Sequence, residues 1–149
     1  MDQLICKEVE WDSELQRESV GLRYTVLREP LGLTFNEDDK KVDSESSHLL
    51  AVLNGEVVGC ILVMHKDSDQ KNLKMRQVAV SNKHQSMGIG SKLLKFSEDW
   101  ARERNYQTMY CHARLTAVKF YTNNGYQTSG DEFLEVTIPH VFMSKSIVK

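Results

Sequence analysis

The sequence predicts an α/β fold in which a mixed, mostly antiparallel central sheet is flanked by helices on both faces. Two apolar runs separated by Asn54-Gly55 indicate a β-hairpin, because Asn-Gly favours the tight turns that join antiparallel strands. A strand, a helix and a second strand then follow between residues 73 and 113, which predicts one parallel pair joined by a right-handed crossover. With 149 residues, of which 40% are hydrophobic, we expect a single domain over residues 1–149.

The first part of the chain predicts one strand and one helix. Leu4–Val9 is typical of a strand, and Ser13–Arg28 has apolar residues at helical spacing. Asp12 or Ser13 is the expected N-cap, since short polar side chains accept hydrogen bonds from the first turn. Pro30 is expected to end the helix, because the residue before a proline avoids helical angles.

Three strands are predicted in the middle of the chain. His48–Leu53 and Val57–Met64 form the hairpin, and Leu73–Val80 follows after a polar turn over residues 67–72. The second of these strands is apolar on both faces, which predicts a central place in the sheet.

The last part of the chain predicts two helices and three strands. In order, these are helix Ser91–Arg104, strand Thr108–Ala113, helix Thr116–Asn124 and strands Tyr126–Phe133 and His140–Ile147. We expect Thr116 to cap the shorter helix and Gly125 to take the left-handed conformation that ends many helices. The predicted order of elements is therefore β-α-(α)-β-β-β-α-β-α-β-β.

Composition excludes several classes of function. The formal net charge of −2 provides no basic field for nucleic acid, and the longest apolar run, Val57–Met64, is too short to span a bilayer. We therefore expect neither a nucleic-acid nor a membrane partner. The three cysteines form no CxxC motif and the N-terminus has no secretory pattern, so we expect free thiols and a cytoplasmic protein. The five histidines show no metal-binding spacing, and we expect no metal.

A glycine-rich turn over residues 81–90 joins a predicted strand to a predicted helix. In an ATP-binding loop the second glycine is followed by Lys and then Ser or Thr, whereas here Gly90 is followed by Ser91 and then Lys92. A dinucleotide-binding turn needs a third glycine at the position that Leu93 occupies. Neither of these two cofactor classes fits the turn.

The pattern that remains is Gln85-x-x-Gly88-x-Gly90 at the start of a helix. Backbone N–H groups in the first helical turn lack intrahelical partners, and the positive end of the helix dipole lies there, so the turn could hold a pyrophosphate. Between Lys66 and Lys95, seven Lys and Arg residues face two acids, a local excess of +5. A plain strand-to-helix turn is the simpler alternative.

A second motif, HARLTAVKFYTNNGY, spans residues 112–126. Together with Arg76–Val80 and Gln85–Gly90, it resembles the GNAT superfamily of N-acetyltransferases, and the C-terminal segment is similar to that of small bacterial members. The resemblance implies a GNAT-like mixed sheet and an acetyl-CoA-dependent enzyme. Such an enzyme moves an acetyl group from acetyl-CoA to a primary amine by direct attack in a ternary complex.

The resemblance also implies where acetyl-CoA binds. The backbone N–H of Val80, or of a near neighbour, would polarise the thioester carbonyl. Phe120 is expected mainly to pack its helix onto the sheet beside the cofactor. The implied cofactor-binding residues are Val78, Ala79, Val80, Gln85, Ser86, Met87, Gly88, Ile89, Gly90, Ser91 and Phe120.

Three residues are the implied catalytic candidates. Tyr121 matches the tyrosine that protonates the departing thiolate in many members, although an aromatic that only packs its helix is the simpler alternative. His140 and Glu135 rank highest as the base that takes the proton of the amine, ahead of His112 and His48. Many members have no single essential base, because positioning supplies much of the rate.

The acceptor is expected to be a small-molecule or peptide amine. Arg23, Arg28 and Arg76 are candidates to bind an anionic part of it, and a solvated or salt-bridged arginine is an equally good explanation for each. Homodimers are common in the family, but no pattern in this chain requires one. The alternative function is a non-catalytic CoA-binding or sensing module of the same fold.

Overall fold

The computed structural model describes residues 3–32, 37–66, 69–85, 87–135 and 137–148. The helices are α1 (Glu14–Arg23), α2 (Glu37–Ser44), α3 (Ile89–Glu103) and α4 (Val118–Asn123). The strands of the described residues are β1 (Leu4–Val9), β2 (Ser46–Leu53), β3 (Glu56–Lys66), β4 (Asp69–Val80), β5 (Thr108–Arg114), β6 (Gln127–Glu135) and β7 (Ile138–Ser146).

These strands form one sheet in the order β1-β2-β3-β4-β5-β7-β6. Every neighbouring pair is antiparallel except β4 and β5, which are parallel and joined through α3. The predicted mixed, mostly antiparallel sheet and the predicted order of elements are both confirmed.

The sheet buries a different apolar cluster on each face. On the face covered by α3 and α4, which we call the α3 face, the cluster includes Ile61, Met75 and Leu93. On the opposite face, the α1 face, Leu50 and Cys60 belong to a smaller cluster that packs against α1 and the turn after it. Helices therefore cover both faces, as predicted.

A β-bulge at Gln77 bends β4 near the middle of the sheet. Leu62 of β3 pairs with Arg76 and Cys60 pairs with Ala79, so two residues of β4 oppose one residue of β3. Gln77 has a φ of +54°, which is uncommon for a residue with a side chain. The thiol of Cys60 donates to the carbonyl oxygen of Gln77 at 3.3 Å and so stabilises the bulge.

The bulge separates β4 from β5. The two strands are paired only where Asn72–Lys74 meets Thr108–Tyr110, and beyond these residues no pairing continues. The extra residue also reverses the alternation of side chains along β4. Arg76 therefore lies on the α1 face, while Val78 and Val80 pack against the cluster on the α3 face.

Local signals explain most of the helix boundaries. Ser13 caps α1 and accepts a hydrogen bond from the N–H of Gln16, and helical structure continues through a π-helical turn, Tyr24–Arg28. A 3₁₀ turn that contains Pro30 follows and ends at Gly32, whose φ is +68°.

Several predicted boundaries differ from the structure by a few residues, and three of them have a local explanation. Thr116 does not cap α4, because a 3₁₀ turn over Leu115–Ala117 precedes it and no side chain caps the helix. α3 begins at Ile89, before the predicted Ser91, because the left-handed Gly88 already starts the helix. β4 begins at Asp69, within the predicted polar turn, and the carboxylate of Asp69 accepts hydrogen bonds from the N–H groups of Lys71 and Asn72. Gly125 has the predicted left-handed conformation, with a φ of +92°.

Two further observations bear on the sequence predictions. All three cysteines, Cys6, Cys60 and Cys111, are free thiols. In the part of the chain that the structure describes, no helix is both long enough and apolar enough to cross a membrane.

Candidate active site

The gap between β4 and β5 forms a cleft of about 220 Å³ near the centre of the sheet. Its lining includes the three predicted catalytic candidates, Tyr121, Glu135 and His140, and, of the predicted cofactor-binding residues, Val78. The side chains discussed below are Arg28, Arg76, Val78, His112, Arg114, Tyr121, Glu135 and His140.

The cleft runs through the sheet, and its two faces carry different side chains. Along β5, Cys111 and Ala113 pack on the α3 face, so the alternate residues His112 and Arg114 lie on the α1 face. The register places His140 opposite Arg114 and Phe133 opposite His140, so the α1 face continues across β7 and β6. Glu135, two residues after Phe133, lies on the same face.

Tyr121 reaches the cleft from the α3 face. It lies on α4, is only 5% exposed, and its hydroxyl hydrogen-bonds with the thiol of Cys111. Burial, and next the neighbouring Cys111, raise the pKa of Tyr121 well above its ordinary value. Burial likewise raises the pKa of the Cys111 thiol to about 12. Both groups therefore keep their protons at neutral pH.

On the α1 face, Glu135 lies between two histidines. Its Oε1 is 3.0 Å from Nδ1 of His112, and its Oε2 is 3.7 Å from Nε2 of His140. Burial raises the pKa of Glu135, but the hydrogen bond and charge of His112, followed by the charges of His140 and Lys74, outweigh it. The net pKa is lowered, so the carboxylate stays ionised.

The contacts of each histidine define which nitrogen carries a proton. A carboxylate only accepts, so Nδ1 of His112 donates to Glu135, and the neutral ring has its lone pair on Nε2. In His140, Nδ1 lies 2.9 Å from the carbonyl oxygen of Ile138 and must donate to it. The two rings also differ in access: the His112 side chain is 27% exposed and the His140 side chain only 4%.

The glycine-rich turn lies on the α3 face, directly after the cleft strand. Gly88 has a φ of +75°, which favours glycine, and an added Cβ there would meet open space. The first backbone hydrogen bond of α3 runs from the N–H of Lys92 to the carbonyl of Gly88 at 3.1 Å, and no side chain caps this end. The N–H groups of Ile89, Gly90 and Ser91 therefore lie in the uncapped first turn.

Gly90 has a packing role. A Cβ at this position would lie 3.0 Å from Cε1 of Phe120 and 3.5 Å from Cγ2 of Val80. The glycine thus lets the start of α3 approach α4 and the end of β4 closely, and Phe120 packs its helix there as expected.

The side chains of the remaining predicted cofactor residues lie in several environments. Gln85 donates to the carbonyl of Val80 at 3.3 Å and to Asn82 at 3.0 Å, so its amide holds the turn together. Ala79 and Ile89 are buried at 3% and 2% exposure, which leaves only their backbone atoms for a ligand. Met87 is half exposed. Ser86 lies outside the described residues.

The backbone of Val80 faces the side of β4 that β5 has left. Ser81 donates its N–H to Val58 of β3 at 2.8 Å. Because successive residues of a strand direct their N–H groups to opposite sides, the N–H of Val80 points away from β3, to the side from which β5 has separated. This is the direction that the predicted role of Val80 requires.

A second, basic groove of about 510 Å³ adjoins the start of α3. It is lined by Ser91, Lys92, Lys95, Glu98, Arg102, Asn124 and Lys145. Four of these residues are cationic and one, Glu98, is a carboxylate. Glu98 accepts hydrogen bonds from Nζ of Lys145 at 2.9 Å and from the hydroxyl of Tyr126 at 3.0 Å. The groove therefore has a positive potential beside the uncapped helix end.

The three candidate arginines lie in two different environments. Arg23 is fully buried and makes a bidentate ion pair with Asp43, one bond at 3.0 Å, so the salt-bridge explanation holds for it. Arg28 and Arg76 line the cleft.

Sequence reasoning missed Arg114 as an acceptor-binding candidate and ranked His112 low, although their shared strand face was recognisable from alternation.

Comparisons with known proteins agree with this architecture. The model of the acetyltransferase (GNAT) family matches residues 8–126. Among curated sequences, the uncharacterized protein YyaT of Bacillus subtilis (strain 168) is 31% identical over 74 residues, half of each chain.

Two solved structures share the fold at low sequence identity. An aminoglycoside 6'-N-acetyltransferase complexed with coenzyme A superposes with a TM-score of 0.79 at 17% identity, over 97% of this chain and 98% of that one. A GNAT family acetyltransferase from Elizabethkingia anophelis with acetyl-CoA bound gives 0.75 at 16% identity, over 96% and 97%. Since the family model covers most of the sequence, the chain belongs to the GNAT acetyltransferase family.

Proposed function

We propose that this protein transfers the acetyl group of acetyl-CoA to a primary amine by direct attack within a ternary complex. The observation that carries the proposal is the cleft between β4 and β5, which has Tyr121 on one face and the His112–Glu135 pair on the other. A proton donor and a proton acceptor on opposite sides of one gap suit a reaction in which a thiolate leaves as an amine attacks.

The residues around the α3 face fit coenzyme A. The uncapped first turn of α3 after Gly88 offers backbone N–H groups to a pyrophosphate, with the helix dipole in support. Lys92, Lys95 and Lys145 line the adjoining groove and suit further phosphate. When bound, acetyl-CoA supplies an acetyl group already activated as a thioester.

Val80 is the proposed electrophilic group. Its N–H is directed away from β3, to the side of β4 from which β5 has separated, where it would donate to the carbonyl oxygen of the acetyl group. A fixed backbone donor costs little reorganisation when negative charge develops on that oxygen.

His112 is the proposed base, with Glu135 as its positioning partner. The attacking amine must lose a proton, and Nε2 of His112 has the lone pair to accept it, directly or through a water. Glu135 fixes the ring and stabilises the imidazolium that forms. Glu135 and His140, ranked highest from sequence, remain candidates for the direct base, but His140 is nearly enclosed, with its Nε2 3.7 Å from Oε2 of Glu135.

Tyr121 is the proposed acid. As the new C–N bond forms and the C–S bond breaks, its hydroxyl proton passes to the departing sulfur, while His112 holds the proton of the amine. The raised pKa of Tyr121 would disfavour donation to an ordinary thiolate. The same burial raises the pKa of the Cys111 thiol to about 12, and a thiolate that leaves into this cleft is made more basic for the same reason.

The raised pKa of the Cys111 thiol favours direct transfer over a covalent acetyl-enzyme intermediate. Cys111 lines the cleft beside Tyr121 and is the thiol that could attack the thioester. A thiol with a pKa of about 12, however, has almost no thiolate at neutral pH. Free thiols at all three cysteines also suit the reducing cytosol, where we place the protein.

Steady-state kinetics test this proposal. Acetyl-CoA would be varied against a panel of amino acids, polyamines, aminoglycosides and peptides, with release of free CoA and formation of the acetylated amine as readouts. We expect intersecting double-reciprocal lines and no acetylated enzyme by intact mass. Tight acetyl-CoA binding with no amine-dependent release would favour the non-catalytic CoA-binding module.

A further inference from the structure

The α1 face of the cleft is lined mainly by cationic side chains. Among the described residues that line the cleft, Arg28, Lys74, Arg76 and Arg114 are cationic and Glu135 is anionic, and Arg28 and Lys74 have further interactions within the chain. Glu135 is engaged by His112 and His140, so it is already shared between two rings. This charge is separate from the basic groove at α3, which lies on the opposite face of the sheet.

Arg114 is held in place by a neutral group. Its Nη2 donates to the carbonyl oxygen of Leu27 at 3.0 Å, which ties the end of β5 to the turn after α1. A carbonyl fixes the position of the guanidinium without neutralising its charge. Burial, and next the charge of Arg28, lower the pKa of Arg114, while the charge of Glu135 opposes part of that shift.

Arg76 completes the arrangement from β4. Its Nη1 lies 4.0 Å from Sδ of Met64, a weak contact that leaves the charge uncompensated at that nitrogen. Because Arg76 precedes the bulge, its side chain lies on the same face as Arg114. Guanidinium groups from both β4 and β5 therefore line the α1 face of the cleft, the face that also carries His112.

We propose that the acceptor is a small amine that also carries an oxyanion, a carboxylate or a phosphate, bound by Arg114 and Arg76 with Arg28 beside them. Guanidinium groups suit both anions because they donate paired hydrogen bonds. The anion would relieve the repulsion between the arginines, whereas a polycationic amine would add to it. The inference rests on the proposed function, since acetyl transfer defines which side of the cleft receives the amine.

The size of the cleft favours a small acceptor. Pockets for drug-sized ligands measure roughly 300–1,000 Å³. The cleft has about 220 Å³, part of which the acetyl end of the donor would occupy. An amino acid or an aminoalkyl phosphate suits this space better than an aminoglycoside.

Matched ligands test the proposal without depending on turnover. Binding of N-acetylglycine, N-acetylglycinamide and N-acetylethanolamine phosphate to the CoA-saturated protein would be measured by calorimetry. We expect at least one of the two anionic products to bind about tenfold or more tightly than the neutral amide, and the stronger of the two identifies the anion. Equal affinity for all three ligands would overturn the inference, whether or not acetyl transfer is observed.

Arginine variants test whether Arg114 and Arg76 cause the preference for the anionic ligand. Arg114→Gln and Arg76→Gln should each reduce the preference for the anion about tenfold, and Arg114→Lys should retain part of it. Arg17→Gln is the matched control, since Arg17 is an exposed arginine of α1 outside the cleft. An anion preference that persists in the folded Arg114→Gln, Arg76→Gln double variant would refute the assignment.

Acetylation rates with different acceptors test this inference and the proposed function separately. Glycine, glycinamide, phosphoethanolamine, ethanolamine and spermidine would be compared as acceptors. Efficient acetylation of spermidine and the neutral amines, with the acids inert, would overturn the inference while acetyl transfer stands. Selective acetylation of glycine or phosphoethanolamine, lost through KM in Arg114→Gln, would support both.

Discussion

Nδ1 of His112 lies 3.0 Å from Oε1 of Glu135, across the strand that separates β5 from β6. The carboxylate fixes the ring so that Nε2 is the nitrogen with the free lone pair. On this relationship we propose His112, and not the more enclosed His140, as the base that takes a proton from an amine in the cleft.

Removal of the His112 ring should lower kcat/KM by about 10²-fold or more, because general base catalysis typically contributes that much. In His112→Gly, added imidazole should restore part of the rate by occupying the vacated space. Glu135→Gln can still accept the Nδ1–H bond, so we expect a smaller loss. A His112→Gly enzyme that is folded and fully active would show that positioning alone suffices.

Tyr121→Phe should lower kcat with acetyl-CoA by about 10²-fold while the affinity for acetyl-CoA changes little. The loss should nearly vanish with p-nitrophenyl acetate, whose leaving group needs no proton. Tyr110→Phe is the matched control, since that ring stacks on Phe142 outside the cleft. Equal losses with both donors would point to a packing role for Tyr121.

Gly88→Glu should weaken CoA binding at least tenfold, and Gly88→Lys should weaken it less. Both side chains suffer the same strain at a φ of +75°, so the difference between them reports charge at the turn. The difference should shrink at high salt, because salt screens exposed charges. Calorimetry that shows the same affinity for both variants would contradict a pyrophosphate site there.

Because of Cys60, the free energy of unfolding should decrease as pH rises in the alkaline range. Burial raises the pKa of its thiol from 9.0 to about 12, so between these values the unfolded chain loses a proton that the folded chain keeps. Stability should therefore fall by about 1.4 kcal/mol per pH unit from this group. Cys60→Ala, less stable at neutral pH, should lose less stability between pH 9 and 11 in urea titrations. Parallel pH curves for the two proteins would mean that the thiol ionises normally in the fold.

Local signals made much of the fold predictable, including the glycine-rich turn between β4 and α3. Asn54-Gly55, the Gln85–Gly90 turn and Gly125 each act within a few residues, where backbone conformation depends on residue type. The pairing of β2 with β3 followed from the Asn54-Gly55 turn, and the parallel pairing of β4 with β5 followed from the crossover through α3.

Long-range pairings could not be predicted in the same way. The bulge at Gln77 depends on the register with β3, and the contact of His112 with Glu135 depends on how β7 is inserted between their strands. Arg23 was open to two explanations until the position of α2 gave it Asp43 as a partner. In each case the deciding contact joins elements that the sequence pattern does not relate.

The most direct test of acetyl transfer is an isotope measurement. The protein would be incubated with acetyl-CoA labelled with ¹³C in the acetyl group and with glycine or phosphoethanolamine, and the products analysed by mass spectrometry. The account predicts the label on the amine nitrogen, together with free CoA in equal amount, and a large loss in Tyr121→Phe. Label that stays on CoA, or that reaches water equally fast without an amine, would contradict it.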